Sequence, residues 1–162
     1  GAACLVLPEG LAEECKILFA FSLLCAEACP QIEFIWRLHP ILTFKNLVRQ
    51  FPILKTRPSN VKISTRTFED DIARSTWALY RGSTAAITAV ANGVMPIHLR
   101  QPGELTTDPL YEISSGHPSV ENVQQFTIAL GSTNRDSTSV EYCRTYYSPL
   151  DSDALAKLCQ HV

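Results

Sequence analysis

Residues 3–40, ACLVLPEGLAEECKILFAFSLLCAEACPQIEFIWRLHP, decide the fold. Ala3-Cys4-Leu5-Val6-Leu7 is a continuous apolar run closed by Pro8-Glu9-Gly10, the pattern of a short strand buried on both faces. From Leu11 to Cys29 apolar residues return at helical spacing, with Leu11, Cys15, Leu18, Phe19 and Leu23 on one face and Glu13, Glu14 and Lys16 on the other. Pro30 ends that helix. Ile32 to Leu38, rich in β-branched and aromatic side chains, is a second strand that stops at His39-Pro40. A strand, a helix and a strand at this spacing make a right-handed βαβ unit and therefore the start of a parallel sheet.

The alternation continues downstream. Leu42 to Phe51 reads as a shorter helix, and Pro52, Pro58 and Asn60 mark a loop before a third strand at Val61 to Ser64. Thr67, with Asp70 three residues on, has the form of a capping box opening a helix to about Ser75. Trp77 to Tyr80 is strand four, Ser83 to Ala91 a small-residue helix stopped by Asn92-Gly93, and Val94 to Leu99 strand five. Pro96 argues against a central place for that last strand. Beyond it the signal thins to a turn at Gln101-Pro102-Gly103, a helix over Val120 to Leu130, a polar loop over Gly131 to Ser139 and a terminal helix over Asp151 to His161. The expected fold is α/β, a doubly wound Rossmann-like parallel sheet in a three-layer α/β/α sandwich. It forms a single domain over residues 1–162, with 131–162 as its C-terminal loop and helix.

Composition narrows the function. The 162 residues are 46% hydrophobic and 19% charged, enough for a core that needs neither disulfide nor metal, and far from disordered or collagen-like compositions. A formal net charge of -2 argues against a general binder of nucleic acid or acidic membrane. Within that average, ten of the 14 basic side chains lie between Arg37 and Arg100 against three acids, Glu69, Asp70 and Asp71. They are either solvated helix faces or a locally positive cleft for an anionic small ligand.

The six cysteines contain no CxxC pair and four of them sit in apolar runs, as packed thiols in a reducing compartment do. His39, His98, His117 and His161 are not grouped at ligand spacing, so no metal is expected. The longest apolar stretch, Ile17 to Ala28, is broken by Ser22 and Glu27 and falls short of the roughly 20 residues a bilayer span needs. No basic segment precedes an apolar one as in a signal peptide, which leads to the expectation of a cytoplasmic protein without a transmembrane segment. The abrupt start at Gly1 suits a domain cut from a longer polypeptide.

In open parallel sheets ligands bind beyond the carboxyl ends of the strands. Those ends read Pro8-Glu9-Gly10, Arg37-Leu38-His39-Pro40, Ser64 to Thr67, Arg81-Gly82-Ser83-Thr84 and Arg100 to Glu104. Gly82-Ser83-Thr84 opens a helix whose first turn holds no acid, so its N–H groups and hydroxyls are either a phosphate cradle or an ordinary Ser/Thr cap. Pro40 holds His39 extended, which aims the imidazole from the strand end toward the cleft; the alternative is a surface histidine before a bend.

The strand ending in Arg37-Leu38-His39-Pro40, the later strand running into Arg81-Gly82-Ser83-Thr84 and the Gln101-Pro102-Gly103-Glu104 turn together resemble the carboxy-terminal, nucleotide-binding half of a GT-B glycosyltransferase. The likeness spans about Leu5 to Leu110 and is closest to the HP-motif branches that build surface polysaccharides, which tend to use cytidine nucleotides. The resemblance implies that Glu9, Gly10, Arg37, His39, Pro40, Thr67, Arg81, Gly82, Ser83 and Thr84 surround the phosphates of a nucleotide-sugar donor, with no cofactor and no metal. The E-x7-E pattern of many retaining members is missing, which points to an inverting or divergent enzyme. The acceptor site and general base are then expected in a missing N-terminal domain, and the chain alone is expected to be catalytically silent. Two other readings stay open: a UDP-sugar 2-epimerase-like enzyme using Glu9 and Glu104 as carboxylates, and a non-catalytic α/β regulatory or interaction domain.

Overall fold

A computed structural model describes residues 2–105, 108–113, 116–131 and 137–147. The strands are β1 (Ala3–Leu7), β2 (Glu33–Trp36), β3 (Val61–Ile63), β4 (Trp77–Tyr80), β5 (Met95–Leu99) and β6 (Ser119–Val120). Among them run helices α1 (Ala12–Ala28), α2 (Phe44–Gln50), α3 (Phe68–Ala73), α4 (Ala85–Ala91), α5 (Val123–Leu130) and α6 (Ser137–Tyr146), with a 3-10 turn at Pro52–Lys55. Every strand pair is parallel and the order is β3-β2-β1-β4-β5-β6, the doubly wound Rossmann arrangement.

Side chains alternate faces along each strand, and the two faces meet different helices. Cys4 and Val6 of β1 pack with Trp36, Leu79 and Ile97 beneath α1, α2 and α5. Ala3, Leu5 and Leu7 pack with Ala78 and Tyr80 beneath α3, α4 and α6. All five residues of β1 are buried, as the unbroken apolar run requires of the central strand. The three-layer sandwich follows from that alternation.

Caps and stops behave as their chemistry dictates. Thr43, Thr67 and Asn122 each sit in extended backbone and accept the N–H three residues on, from Asn46, Asp70 and Gln125. At the other end of α1, Asn60 donates its side-chain amide to the carbonyls of Ala26, Cys29 and Ile32, which ties the helix C-terminus to the start of β3.

Three features depart from the sequence reading. Pro96 does lie in an internal strand: the N–H groups of His98 on β5 and of Arg100 just after it point to the β6 side, and Pro96 is the preceding member of that row, opposite no strand residue. Its missing donor therefore costs nothing. The two-residue β6 carries too little pattern to be seen. Residues 137–146, read in part as polar loop, form α6, which buries only Ser139 and Cys143. That helix leans on the small residues of α4 and donates Arg144 Nε to the Ala91 carbonyl at 3.1 Å. The terminal helix expected at Asp151 to His161 lies outside the described residues, as does Cys159.

The five described cysteines, Cys4, Cys15, Cys25, Cys29 and Cys143, are free and buried. Burial pushes the thiols of Cys15 and Cys143 up to about 12 and about 11, and those of Cys4 and Cys25 higher still. We expect all five to resist N-ethylmaleimide in the folded protein and to react fully in denaturant, with mass spectrometry counting the adducts. Rapid native labelling of any of them would show that the element covering it opens readily.

Candidate functional site

From β1 the chain winds outward through β2 and β3 on one side and then crosses over to β4 on the other side of β1, and the crevice of such a sheet opens where the direction reverses. The cleft found there encloses about 410 Å³ and is lined by residues 7–10 at the end of β1 and beyond, 37–40 after β2, 82–85 from the loop after β4 into the start of α4, and Phe68 of α3. Eight of the ten residues singled out from the sequence line it: Glu9, Gly10, Arg37, His39, Pro40, Gly82, Ser83 and Thr84.

His39 is fixed by its own loop. The Ile41 N–H donates to His39 Nδ1 at 3.4 Å, so that Nδ1 accepts and Nε2 is left as the ring's donor, with no partner among the described residues. Gly10 makes room for this turn, since a Cβ there would stand 3.3 Å from His39 Cε1 and 3.1 Å from the Ile41 side chain. Arg37 lies against the Phe68 ring, 5.2 Å from guanidinium carbon to centroid, and its Nη1 donates at 3.0 Å both to the Arg66 carbonyl and to Asp71. Asp71 is fully buried and is held by Ser64 Oγ as well.

The start of α4 is not an ordinary cap. Thr84 precedes the helix in helical backbone and makes no side-chain capping bond. Among the described residues neither the Ser83 nor the Thr84 hydroxyl has a hydrogen-bond partner, and the N–H groups of Ser83, Thr84 and Ala85 are equally unpaired. The loop is nevertheless not wholly open: Glu9 Oε1, from the loop after β1, accepts the Gly82 N–H at 3.0 Å. A Cβ on Gly82 would come within 2.6 Å of that oxygen, so glycine permits the approach.

Two of the expected residues are elsewhere. Thr67 is exposed and spends its hydroxyl on the α3 cap, outside the cleft lining. Arg81 is buried, pointing away from the cleft, with Nε on Glu14 of α1 and Nη2 on Glu104 after β5, both at 2.7 Å. It ties helix to loop. Glu104 is thereby committed to Arg81 and is absent from the cleft lining, which removes one of the two carboxylates an epimerase would use. Of the ten basic side chains between Arg37 and Arg100, only Arg37 lines the cleft, and Glu9 balances it. The basic surplus lies on other surfaces. Among the described residues no group of three or more His, Cys, Asp or Glu side chains could hold a metal ion.

Sequence reasoning missed a buried polar network under α4. Tyr80 Oη donates to Asp108 Oδ1 at 2.9 Å and lies 2.9 Å from His117 Nε2, which is 2.6 Å from Asp108 Oδ2. The Leu110 N–H also donates to Asp108 at 2.9 Å, and His98 stands beside the group with Nδ1 3.1 Å from Ser119 Oγ. Burial alone would raise the Asp108 carboxyl, but the bonds from His117 and Leu110 and the two imidazoles hold it below the usual range. Burial pushes His98 down and Tyr80 up, the latter with Asp108 adding to the effect. His98 is therefore neutral at pH 7, and its 3.8 Å approach to Asp108 is no ion pair. No sequence signal announces the network, because the sequence around Asp108 and His117 has no helical or strand periodicity.

No family model matches the sequence, and no curated protein sequence is similar to it. Solved structures are. The glycosyltransferase of kitacinnamycin superposes with a TM-score of 0.59 at 12% identity, covering 99% of this chain and 42% of its own. The glycosyltransferase SnogD from Streptomyces nogalater superposes with a TM-score of 0.54 at 17% identity, covering 98% of this chain and 41% of its own. The chain thus has the Rossmann-like fold found in these glycosyltransferases along almost all of its length, and spans about two fifths of each.

Proposed function

We propose that this chain is the donor-binding half of a GT-B type glycosyltransferase, taking a nucleotide-sugar whose sugar passes to a glycan acceptor of the cell surface. The observation that carries the reading is the cleft at the strand-order reversal, where two hydroxyls, three backbone N–H groups and His39 Nε2 lack any partner among the described residues and converge from separate loops. Unpaired donors collected in one crevice suit the oxygens of a phosphate.

In this reading the Ser83 and Thr84 hydroxyls, their N–H groups and His39 Nε2 hydrogen-bond the phosphate oxygens, and Arg37, steadied by Asp71, adds positive charge. Their catalytic share is electrostatic: charge grows on the leaving phosphate as the sugar departs, and donors already in place stabilise it without reorganising. The acceptor and the general base come from a second domain. The low coverage of the two glycosyltransferase chains supports that division. The chain alone then binds nucleotide and transfers no sugar.

Calorimetry with CMP, CDP and UDP tests the reading. His39→Ala, and Ser83→Ala with Thr84→Ala, should each weaken binding by about 1–3 kcal/mol, the worth of hydrogen bonds to a charged group. Because neither hydroxyl caps α4, the double variant should melt close to the parent. No binding of any of the three nucleotides by the parent, or equal binding by the variants, would defeat the assignment.

A further inference from the structure

Among the described residues the Glu9 carboxylate is the one anionic side chain lining the cleft, and its position is specific. Its Oε1 takes the Gly82 N–H, the first of four successive N–H groups at the start of α4, while the next three have no partner among the described residues. It lies in space that a side chain at position 82 would occupy, with Oε1 and Cδ at 2.6 and 2.9 Å from an ideal Cβ. Arg37 is the balancing charge, and part of its positive charge is already spent on buried Asp71. A phosphate bound at Ser83 and Thr84 would therefore have a fixed carboxylate as its neighbour.

Two negative groups placed side by side repel, and the repulsion doubles when the phosphate carries two charges instead of one. A phosphate esterified to a sugar keeps one charge, whereas a terminal phosphate takes a second above about pH 6. The sugar also brings hydroxyl donors, which a carboxylate oxygen accepts. Resting on the donor-binding reading above, we propose that Glu9 sets the phosphate charge this cleft admits: it favours the singly charged phosphate of a nucleotide-sugar and disfavours the doubly charged terminal phosphate of the free nucleotide left after transfer. The substrate is thereby held and the spent nucleotide released.

Glu9→Gln tests this, since an amide oxygen still accepts the Gly82 N–H and a circular-dichroism melt should match the parent. Calorimetry at about pH 8, where the terminal phosphate is doubly charged, compares UDP with UDP-glucose and CDP with CDP-glucose. The variant should bind the free nucleotide about tenfold tighter than the parent does, and the sugar-bearing partner less than about threefold tighter. Equal tightening of both members of a pair, or no tightening, overturns the role of Glu9. If binding is lost in Ser83→Ala with Thr84→Ala while Glu9→Gln shows no such selectivity, the donor site stands and Glu9 falls alone. If neither protein binds any of the four ligands, or if binding ignores Ser83 and Thr84, the donor-site reading fails and takes the Glu9 proposal with it.

Discussion

Replacing Asp108 by alanine is expected to lower the unfolding free energy by about 3–5 kcal/mol, the scale for removing one partner of a buried charged network. The substitution leaves Tyr80 Oη, His117 Nε2 and the Leu110 N–H in the interior without the acceptor they share. A small domain has only about 5–15 kcal/mol in all, so the variant should be close to unfolding at 37 °C. Urea denaturation followed by circular dichroism measures it, and a loss below about 1 kcal/mol would show that the network of Asp108, Tyr80 and His117 contributes little to the folded state. Asp108→Asn, which keeps one acceptor oxygen, should lie between the parent and alanine.

The same network sets the response to acid. His98 has a lowered folded-state pKa, so below its ordinary 6.5 the unfolded chain takes up a proton that the folded chain resists, and stability falls as pH drops from there. Asp108 is also lowered, so its contribution is present above 3.8 and is lost as pH falls through and below that value. Stability should therefore be flat near neutrality and decline in two stages. Asp108→Asn should abolish the Asp108 part of the lower stage; an unchanged profile would mean that other carboxylates dominate it.

Trp36→Ala should cost a similar amount, about 3–5 kcal/mol, by cavity formation at the centre of the larger core. Trp36 closes β2, fully buried, with its ring stacked on Phe19 of α1 at 4.2 Å and 13°. Its Nε1 donates at 2.8 Å to Ser22 Oγ, which itself donates to the Phe19 carbonyl. Trp36→Phe keeps most of the stack, and Ser22 keeps its second bond, so that change should cost only about 1–2 kcal/mol. Both can be read from urea unfolding. Because Arg37 to Pro40 leave the strand directly after Trp36, the alanine variant should also bind nucleotide more weakly, through a looser loop and with no contact removed from the cleft. A variant that melts early yet binds as the parent does would show that the loop is held by Asp71 and Gly10 alone.

The sequence by itself determined the elements whose cause is local. An unbroken apolar run makes β1 central, helical spacing places α1, Thr67 caps α3, and Pro40 and Gly82 put turns where strands end. These are interactions within a few residues, so a linear reading finds them, and the rule that ligands meet strand ends then assembled eight residues of one cleft. Tertiary structure alone decided where the long side chains went. Arg81 reaches 67 positions back to Glu14, Glu9 reaches 73 forward to Gly82, and Tyr80 meets Asp108 across 28. Each choice depends on which loops the strand order brings side by side, and a charged or polar group entering the interior takes whichever partner that packing supplies, because burial without one costs several kcal/mol. That is why Arg81, at a strand end like Arg37, became a buried tie between α1 and the loop after β5, while Glu9 became part of the cleft.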